Sequence, residues 1–143
     1  MFSYVTKAAA DGGLVFDYEA LRPANMLLAH QALHFAKTYG SQVAMREALL
    51  KAYLVRGLNL NVVDVVADLG GEMGLDSSQL LAALRDCIYI GDVRVDHVRA
   101  VESGITGVPF CLFNKNLTIS GVQLPEVFQG ALQCAEALRP GAS

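Results

Sequence analysis

The sequence predicts an α/β protein in which a block of helices interrupts a small sheet. Three observations predict this class. A helix and a strand pattern open the chain, separated by a glycine turn. Helical periodicity with short connections then fills residues 25–103. Two short apolar strands and a last helix follow. The helical block is therefore an insertion between the two halves of a small α/β sheet.

The opening unit is predicted as a helix over residues 2–10 and a strand over residues 14–18. Asp11, Gly12 and Gly13 form a strong signal for the end of a helix. Residues 14–18 combine aliphatic and aromatic side chains with one aspartate, a composition and spacing typical of a strand. A helix, a glycine turn and a strand in this order are typical of an αβ unit.

The helical block contains five predicted helices, each with a start or a stop signal. They cover residues 26–39, 42–56, 61–73, 77–87 and 90–103. The predicted N-terminal caps are Asn25, Ser41 and Asp76, and glycines follow most of the helices. Because the connections are short, neighbouring helices are expected to pack antiparallel.

The last part of the chain is predicted as a hairpin followed by a helix. Strands over residues 110–113 and 117–120 flank a turn at Asn114-Lys115-Asn116. The helix over residues 125–138 begins with Pro125 and carries Glu126 in its first turn, both favourable at a helix start.

The composition excludes several classes of function. The chain of 143 residues has a net charge of −3 and no cluster of lysine and arginine, which argues against a nucleic-acid partner. No apolar stretch approaches the roughly 18 residues of a membrane span, and residues 1–10 do not resemble a signal peptide. We therefore predict a cytoplasmic protein of one domain. Charged residues are only 17% of the chain, which favours an oligomer.

The three cysteines do not form a recognisable redox or metal motif. Cys87, Cys111 and Cys134 are widely spaced, and no Cys-x-x-Cys is present in the 143 residues. In a reducing compartment we expect them to be thiols. Cys111 and Cys134 are predicted to be small buried hydrophobic residues, and Cys87 to be more exposed.

The histidines do not predict a metal site. His30 and His34 are four residues apart on one helical face, but no glutamate follows the first and no third ligand is evident. We interpret them as a core or interface pair. His97 is predicted to lie on a solvated helix face, and Tyr53 and Tyr89 to be packing residues. The sequence thus predicts no cofactor, no metal and no catalytic residue.

Three stretches of the chain carry the motifs of a known family. Residues 22–34 include Arg-Pro-Ala-Asn and Ala-His-Gln-Ala-Leu-His, and residues 49–61 include Leu-Leu-Lys-Ala-Tyr. Residues 104–128 contain Gly-Ile-Thr-Gly-Val-Pro-Phe, Ser-Gly-Val-Gln and Pro-Glu-Val-Phe. With these motifs the chain resembles the DsbA-like thioredoxin-fold proteins, and among them the FrnE-like oxidoreductases of polyketide biosynthesis.

The resemblance implies a partial thioredoxin-like fold. Residues 1–19 and 104–138 would be the thioredoxin-like part and residues 25–103 the helical insertion of a single domain over residues 1–143. Family members begin with a central strand and a Cys-Pro-x-Cys at a helix start, and this chain resembles them without either feature. We therefore expect an N-terminally truncated member without dithiol–disulfide chemistry.

The resemblance also implies a binding groove. Pro109 matches the family's cis-proline, and the backbone N–H and C=O groups of Val108 would bind an extended peptide or a glutathione-like thiol. The implied binding residues are Thr106, Gly107, Val108, Pro109 and Phe110. Because the first strand of the resembled sheet is missing, its neighbours have open edges, and we predict a homodimer that completes the sheet.

Two alternatives stay open at this point. One is an enzyme of the same superfamily: a thiol–disulfide oxidoreductase or isomerase, or a glutathione-binding enzyme. Glutathione transferase kappa and 2-hydroxychromene-2-carboxylate isomerase resemble the chain in carrying Gly-Val-Pro. The other alternative is a helical module that binds a partner protein through residues 25–103.

Overall fold

The computed structural model describes residues 2–138, with side chains from residue 5 onward. The chain divides into two compact units, Met1–Asp96 and His97–Ser143. The described elements, in chain order, are α1 (Phe2–Asp11), α2 (Leu27–Thr38), α3 (Gln42–Leu54), α4 (Val63–Glu72), α5 (Ser77–Arg85), α6 (Ile90–Glu102), β1 (Phe110–Phe113), β2 (Leu117–Ser120) and α7 (Pro125–Ala137). The protein is mixed α/β and mostly helical, which confirms the predicted fold class.

The core of the first unit lies among α2, α3, α4 and α5, which pack against one another. Small residues face this core from α2, where Ala29, Ala32 and Ala36 are buried. Alanines three and four residues apart lie on one face of a helix, and their small side chains let neighbouring helices approach closely. The space between the helices is then filled by large buried side chains, which include Met45, Leu60, Leu69, Leu80 and Leu84.

A glycine sets the closest approach between α4 and α5. Gly70 is buried on α4, and a Cβ at this position would collide with the Cδ2 atom of Leu80 on α5. Leu80 is 0% exposed, so its side chain has no free space to move into. The contact between the two helices therefore depends on the missing side chain of Gly70.

The capping predictions were correct only in part. Asp76 caps α5, because its Oδ1 accepts a hydrogen bond of 3.0 Å from the backbone N–H of Gln79. Ser41 occupies the N-cap position of α3 without a side-chain capping bond. The helix predicted from residue 61 begins at Val63 instead, since the Asn61 side chain holds a loop. Its Oδ1 accepts from the N–H of Asn25, and its Nδ2 donates to the carbonyl of Pro23, at 2.8 and 3.1 Å.

The predicted strand over residues 14–18 was wrong. The segment is irregular, and Val15 is 77% exposed. Asp17 folds the chain into a turn, because its Oδ1 accepts hydrogen bonds from the N–H groups of Glu19 and Ala20. The N–H of Asp17 donates to the carbonyl of Leu54 at the end of α3. Among residues 2–138 no strand pairs with this segment, so its alternating pattern belongs to no ladder.

The second unit contains an antiparallel hairpin and the helix that packs on it. β1 pairs with β2 in a register that places Phe110 opposite Ser120. The turn passes through Asn114 and Lys115, which have φ angles of 47° and 65°. The side chain of Asn114 also donates to the carbonyl of Ala135 in α7, so it links the turn to the helix. Both strands and the start of α7 at Pro125 agree with the sequence prediction.

The prediction for two of the cysteines needs correction. Cys134 is exposed and Cys111 is half-buried, whereas both were expected to be buried. The buried face of α7 is formed by Ala131 and Ala135, four residues apart. Cys134 lies one position away, and a rotation of 100° per residue turns it out of this face. Cys87 is exposed, as predicted.

None of the helices within residues 2–138 has the length and apolar character that a membrane crossing requires.

Candidate functional site

The five predicted binding residues lie together in the loop before β1. Helix α6 ends with Gly104 at a φ of 72°, and the N–H groups of Gly104 and Ile105 donate to the carbonyls of Val101 and Ala100. This pattern is a Schellman motif, which ends the helix and turns the chain away from the helix axis. Thr106, Gly107, Val108 and Pro109 are then exposed and Phe110 is half-buried.

Val108 in this loop is almost fully exposed, with 91% of its surface accessible. The Val108–Pro109 peptide bond is cis. The carbonyl of Pro109 accepts a hydrogen bond of 2.8 Å from the N–H of Gly121, just beyond β2. This bond extends the ladder of the hairpin by one residue and anchors the loop to it.

One edge of β1 is open. Along an antiparallel strand, alternate residues direct their N–H and C=O groups to opposite edges. Because Pro109 bonds toward the β2 side, Phe110 and Leu112 direct their backbone groups toward the other edge. In the described part of the chain β1 has β2 as its neighbour and no strand on its second edge. Such an edge can pair with an added extended chain.

The loop and β1 offer no charge to a ligand. Residues 103–114 contain no Asp, Glu, Lys, Arg or His. Apolar side chains are exposed on the hairpin and just after it: Leu112 is about half exposed, and Val122 and Leu124 beyond β2 are more exposed still. Recognition at this site would therefore depend on backbone hydrogen bonds and apolar contact.

A shallow pocket of about 320 Å³ lies between β1 and α7 in the second unit. Its walls include Leu112 and Phe113 from β1, and Leu132 and Ala135 from α7. Leu112 thus has its backbone at the open edge and its side chain at this pocket. An extended ligand on the edge could place an apolar side chain beside Leu112.

The two histidines of α2 have different surroundings. His34 has its Nε2 2.8 Å from Oδ2 of Asp96, and its ring stacks on Tyr89. His30, by contrast, is exposed and borders an apolar groove on the surface. Among residues 2–138, no three His, Cys, Asp or Glu side chains come together as metal ligands. The sequence contained no signal for the His34–Asp96 contact, because the two residues are 62 positions apart.

Tyr53 and Tyr89 are packing residues, as predicted. Both are partly buried against the core of the first unit. Tyr89 also contacts Phe35 edge to face, with the ring centroids 6.2 Å apart.

A small hairpin behind an exposed Gly-Val-Pro loop, together with a block of helices, defines a thioredoxin-like α/β protein. The chain belongs to the family of the DsbA-like thioredoxin domain, whose model matches residues 1–133. This confirms the family-level resemblance.

A solved structure supports the same assignment. The chain is similar to the crystal structure of a probable DsbA oxidoreductase from Streptomyces coelicolor, with a TM-score of 0.90 and 29% sequence identity. The match covers 99% of this chain and 61% of that one. The chain therefore spans about three fifths of the length of the solved relative. A search of the curated proteins found no significant match.

Proposed function

We propose that this chain binds a ligand with an extended backbone along the open edge of β1. The ligand would be a peptide or the peptide-like thiol glutathione. The observation that carries the proposal is that the backbone groups of Phe110 and Leu112 point away from β2, next to the exposed Val108. An extended peptide can pair with these groups as an added strand.

The position of the proline suits this role. Pro109 has no N–H, and a proline that faced the open edge would remove a donor from it. Instead, Pro109 belongs to the register that faces β2, where its carbonyl bonds to Gly121. The donors at Phe110 and Leu112 are therefore both retained on the edge that the ligand would use.

We further propose that the 143 residues perform no dithiol–disulfide exchange on their own. That reaction begins with attack by a thiolate, and the family's motif for it is Cys-x-x-Cys. The three cysteines present are all free thiols and none is part of such a motif. A reducing compartment, such as the cytoplasm, would keep them in this state.

The motifs at residues 22–34, 49–61 and 104–128 support assignment to the FrnE-like branch of the family.

The open edge of β1 supports a homodimer, because a second copy can supply the missing strand partner. Ligand and second copy would compete for one edge. Dimerisation would therefore weaken when the ligand is added.

Backbone NMR of the ¹⁵N-labelled chain tests the binding proposal. Reduced glutathione and a short peptide of alternating Thr and Val are titrated separately. We expect the largest amide shifts at Val108, Phe110 and Leu112. Shifts confined to residues 5–96 would contradict the proposal.

A pair of variants at Leu112 separates backbone from side-chain binding. Leu112→Pro removes an N–H at the open edge and keeps the bonds toward β2, so it should weaken binding at least tenfold. Leu112→Ala keeps the N–H and should retain most of the affinity. A Leu112→Pro protein with an intact hairpin and unchanged binding would refute edge pairing.

An insulin-reduction assay tests the second part of the proposal. We expect no catalysis above the rate of the reductant alone. Catalysis by the wild type that disappears in Cys87→Ser would overturn it and favour the alternative of a thiol–disulfide oxidoreductase.

A further inference from the structure

The first unit contains a groove that is separate from the β1 edge. It lies along α2 and α3, has a volume of about 270 Å³ and is lined almost wholly by apolar side chains. Leu49 and Leu60 are buried at its base, while Leu50 is 52% exposed at its side. A concave surface lined mostly by apolar side chains is typical of a site for a small ligand.

Three polar side chains border the groove: His30 from α2, and Arg46 and Tyr53 from α3. Among the described residues none of the three has a hydrogen bond or an ion pair in the structure. The carboxylate next to Arg46 is already paired, because Glu47 lies 2.7 Å from the Nζ atom of Lys51. Lys51 also lowers the pKa of Glu47, first through their hydrogen bond. Arg46 lowers the pKa of Glu47 as well, but less than Lys51 does, and among the described residues its guanidinium forms no ion pair of its own.

We propose that this groove binds a small amphiphilic carboxylate, such as a medium-chain fatty acid. The apolar chain would lie on Leu49, Leu50 and Leu60. The carboxylate would bind Arg46, whose planar fork of N–H donors matches the two oxygens of a carboxylate. The combination of an apolar floor with a cationic border selects an anion that carries a hydrocarbon body over either a bare anion or a neutral hydrocarbon.

The groove sets the size of the ligand. Its volume lies just below the range of about 300–1,000 Å³ that is typical for drug-sized ligands. A chain that fits should gain affinity with each added methylene until the groove is full. Burial of one methylene corresponds to about a fourfold change in Kd. The affinity should then stop rising, because further methylenes would extend into water.

Isothermal titration with hexanoate, octanoate, decanoate and dodecanoate, each below its micelle concentration, tests the proposal. We expect Kd to fall about fourfold per methylene and then level off. Methyl NMR should show shifts at Leu33, Leu49 and Leu50. Equal affinity along the series, or shifts confined to the second unit, would overturn the proposal.

Two variants and one neutral ligand test the charge. Arg46→Gln should weaken decanoate binding about tenfold. Lys37→Gln on α2 removes the same charge away from the groove and should leave the affinity unchanged. Decanol should bind the wild type about as weakly as decanoate binds Arg46→Gln. Equal affinities of decanol and decanoate would refute the role of Arg46.

Two further outcomes would also count against the groove. Leu50→Ala removes part of the apolar wall of the groove and should weaken decanoate binding. Unchanged affinity would contradict the placement of the hydrocarbon chain against Leu50. Binding that occurs with phosphatidylcholine vesicles but not with monomeric decanoate would show a membrane surface instead. Because these readouts come from residues 5–96, they are independent of glutathione or peptide binding at β1.

Discussion

The close contact between Gly70 and Leu80 allows a quantitative test of how α4 packs on α5. Leu80→Ala should cost about 3–4 kcal/mol of unfolding free energy, because a fully buried leucine leaves a cavity that its neighbours only partly fill. Gly70→Ala should cost about 1–2 kcal/mol. In that variant the new methyl group collides with Leu80, at roughly 2–3 kcal/mol, and alanine recovers about 1 kcal/mol of helix propensity.

The double variant should be more stable than Leu80→Ala alone. With Leu80 shortened, the methyl group of Ala at position 70 enters the cavity without collision and its helix propensity remains favourable. We expect a total cost of about 2 kcal/mol, compared with about 4–6 kcal/mol if the two effects were additive. The coupling between the two positions should therefore be favourable by at least about 2 kcal/mol.

Urea denaturation followed by far-ultraviolet circular dichroism measures these free energies. Gly91→Ala in α6 is the matched control, because a Cβ there meets nothing within 4 Å. It should show the propensity gain alone, about 1 kcal/mol or less. Additive costs at positions 70 and 80, within about 0.5 kcal/mol, would refute the assigned contact.

Three further predictions concern the hairpin, a helix cap and the oligomeric state. Lys115→Gly should raise the free energy of unfolding by about 1 kcal/mol, because glycine adopts the φ of 65° without a Cβ penalty, and calorimetry measures the gain. The backbone hydrogen bond from Gln79 lowers the pKa of Asp76 below 3.8. The stabilisation of α5 by this cap should therefore be complete above that pH and be lost as the pH falls through the lowered pKa. Asp76→Asn should remove this part of the pH dependence of Tm. The wild type should form a dimer in sedimentation at micromolar concentration, and Leu112→Pro should shift it toward monomer; a wild type that stays monomeric would contradict pairing at the edge of β1.

Most element boundaries could be predicted because local chemistry determines them. Gly104 ends α6 with a left-handed φ that few other residues adopt readily. Asp76 caps α5 by accepting a hydrogen bond from the N–H of Gln79, three residues further along the chain. The bounds of β1 and β2 were also predicted, since a three-residue turn limits their register. In each case the interacting groups lie within a few residues of each other.

The failures share a different cause. Residues 14–18 have the pattern of a strand, but a strand needs a partner, and Asp17 instead makes a turn and a bond to the carbonyl of Leu54. Cys134 was assigned to a buried face that packing gave to Ala131 and Ala135. Hydrophobic periodicity shows that a helix has a buried face but not which neighbouring residue lies at its centre.

The two candidate sites differ in the same way: one is built from residues adjacent in sequence, and the other from residues that are far apart in sequence. The residues of the loop from Thr106 to Phe110 are adjacent in sequence, so a motif could locate them, and local alternation along β1 then determines which backbone groups face outward. The groove of Arg46, Tyr53 and Leu60 joins α2, α3 and the segment after α3, and His34 meets Asp96 across 62 positions. Such contacts depend on how the helices pack, because the burial of many side chains together, rather than any local preference, sets the distances between distant parts of the chain.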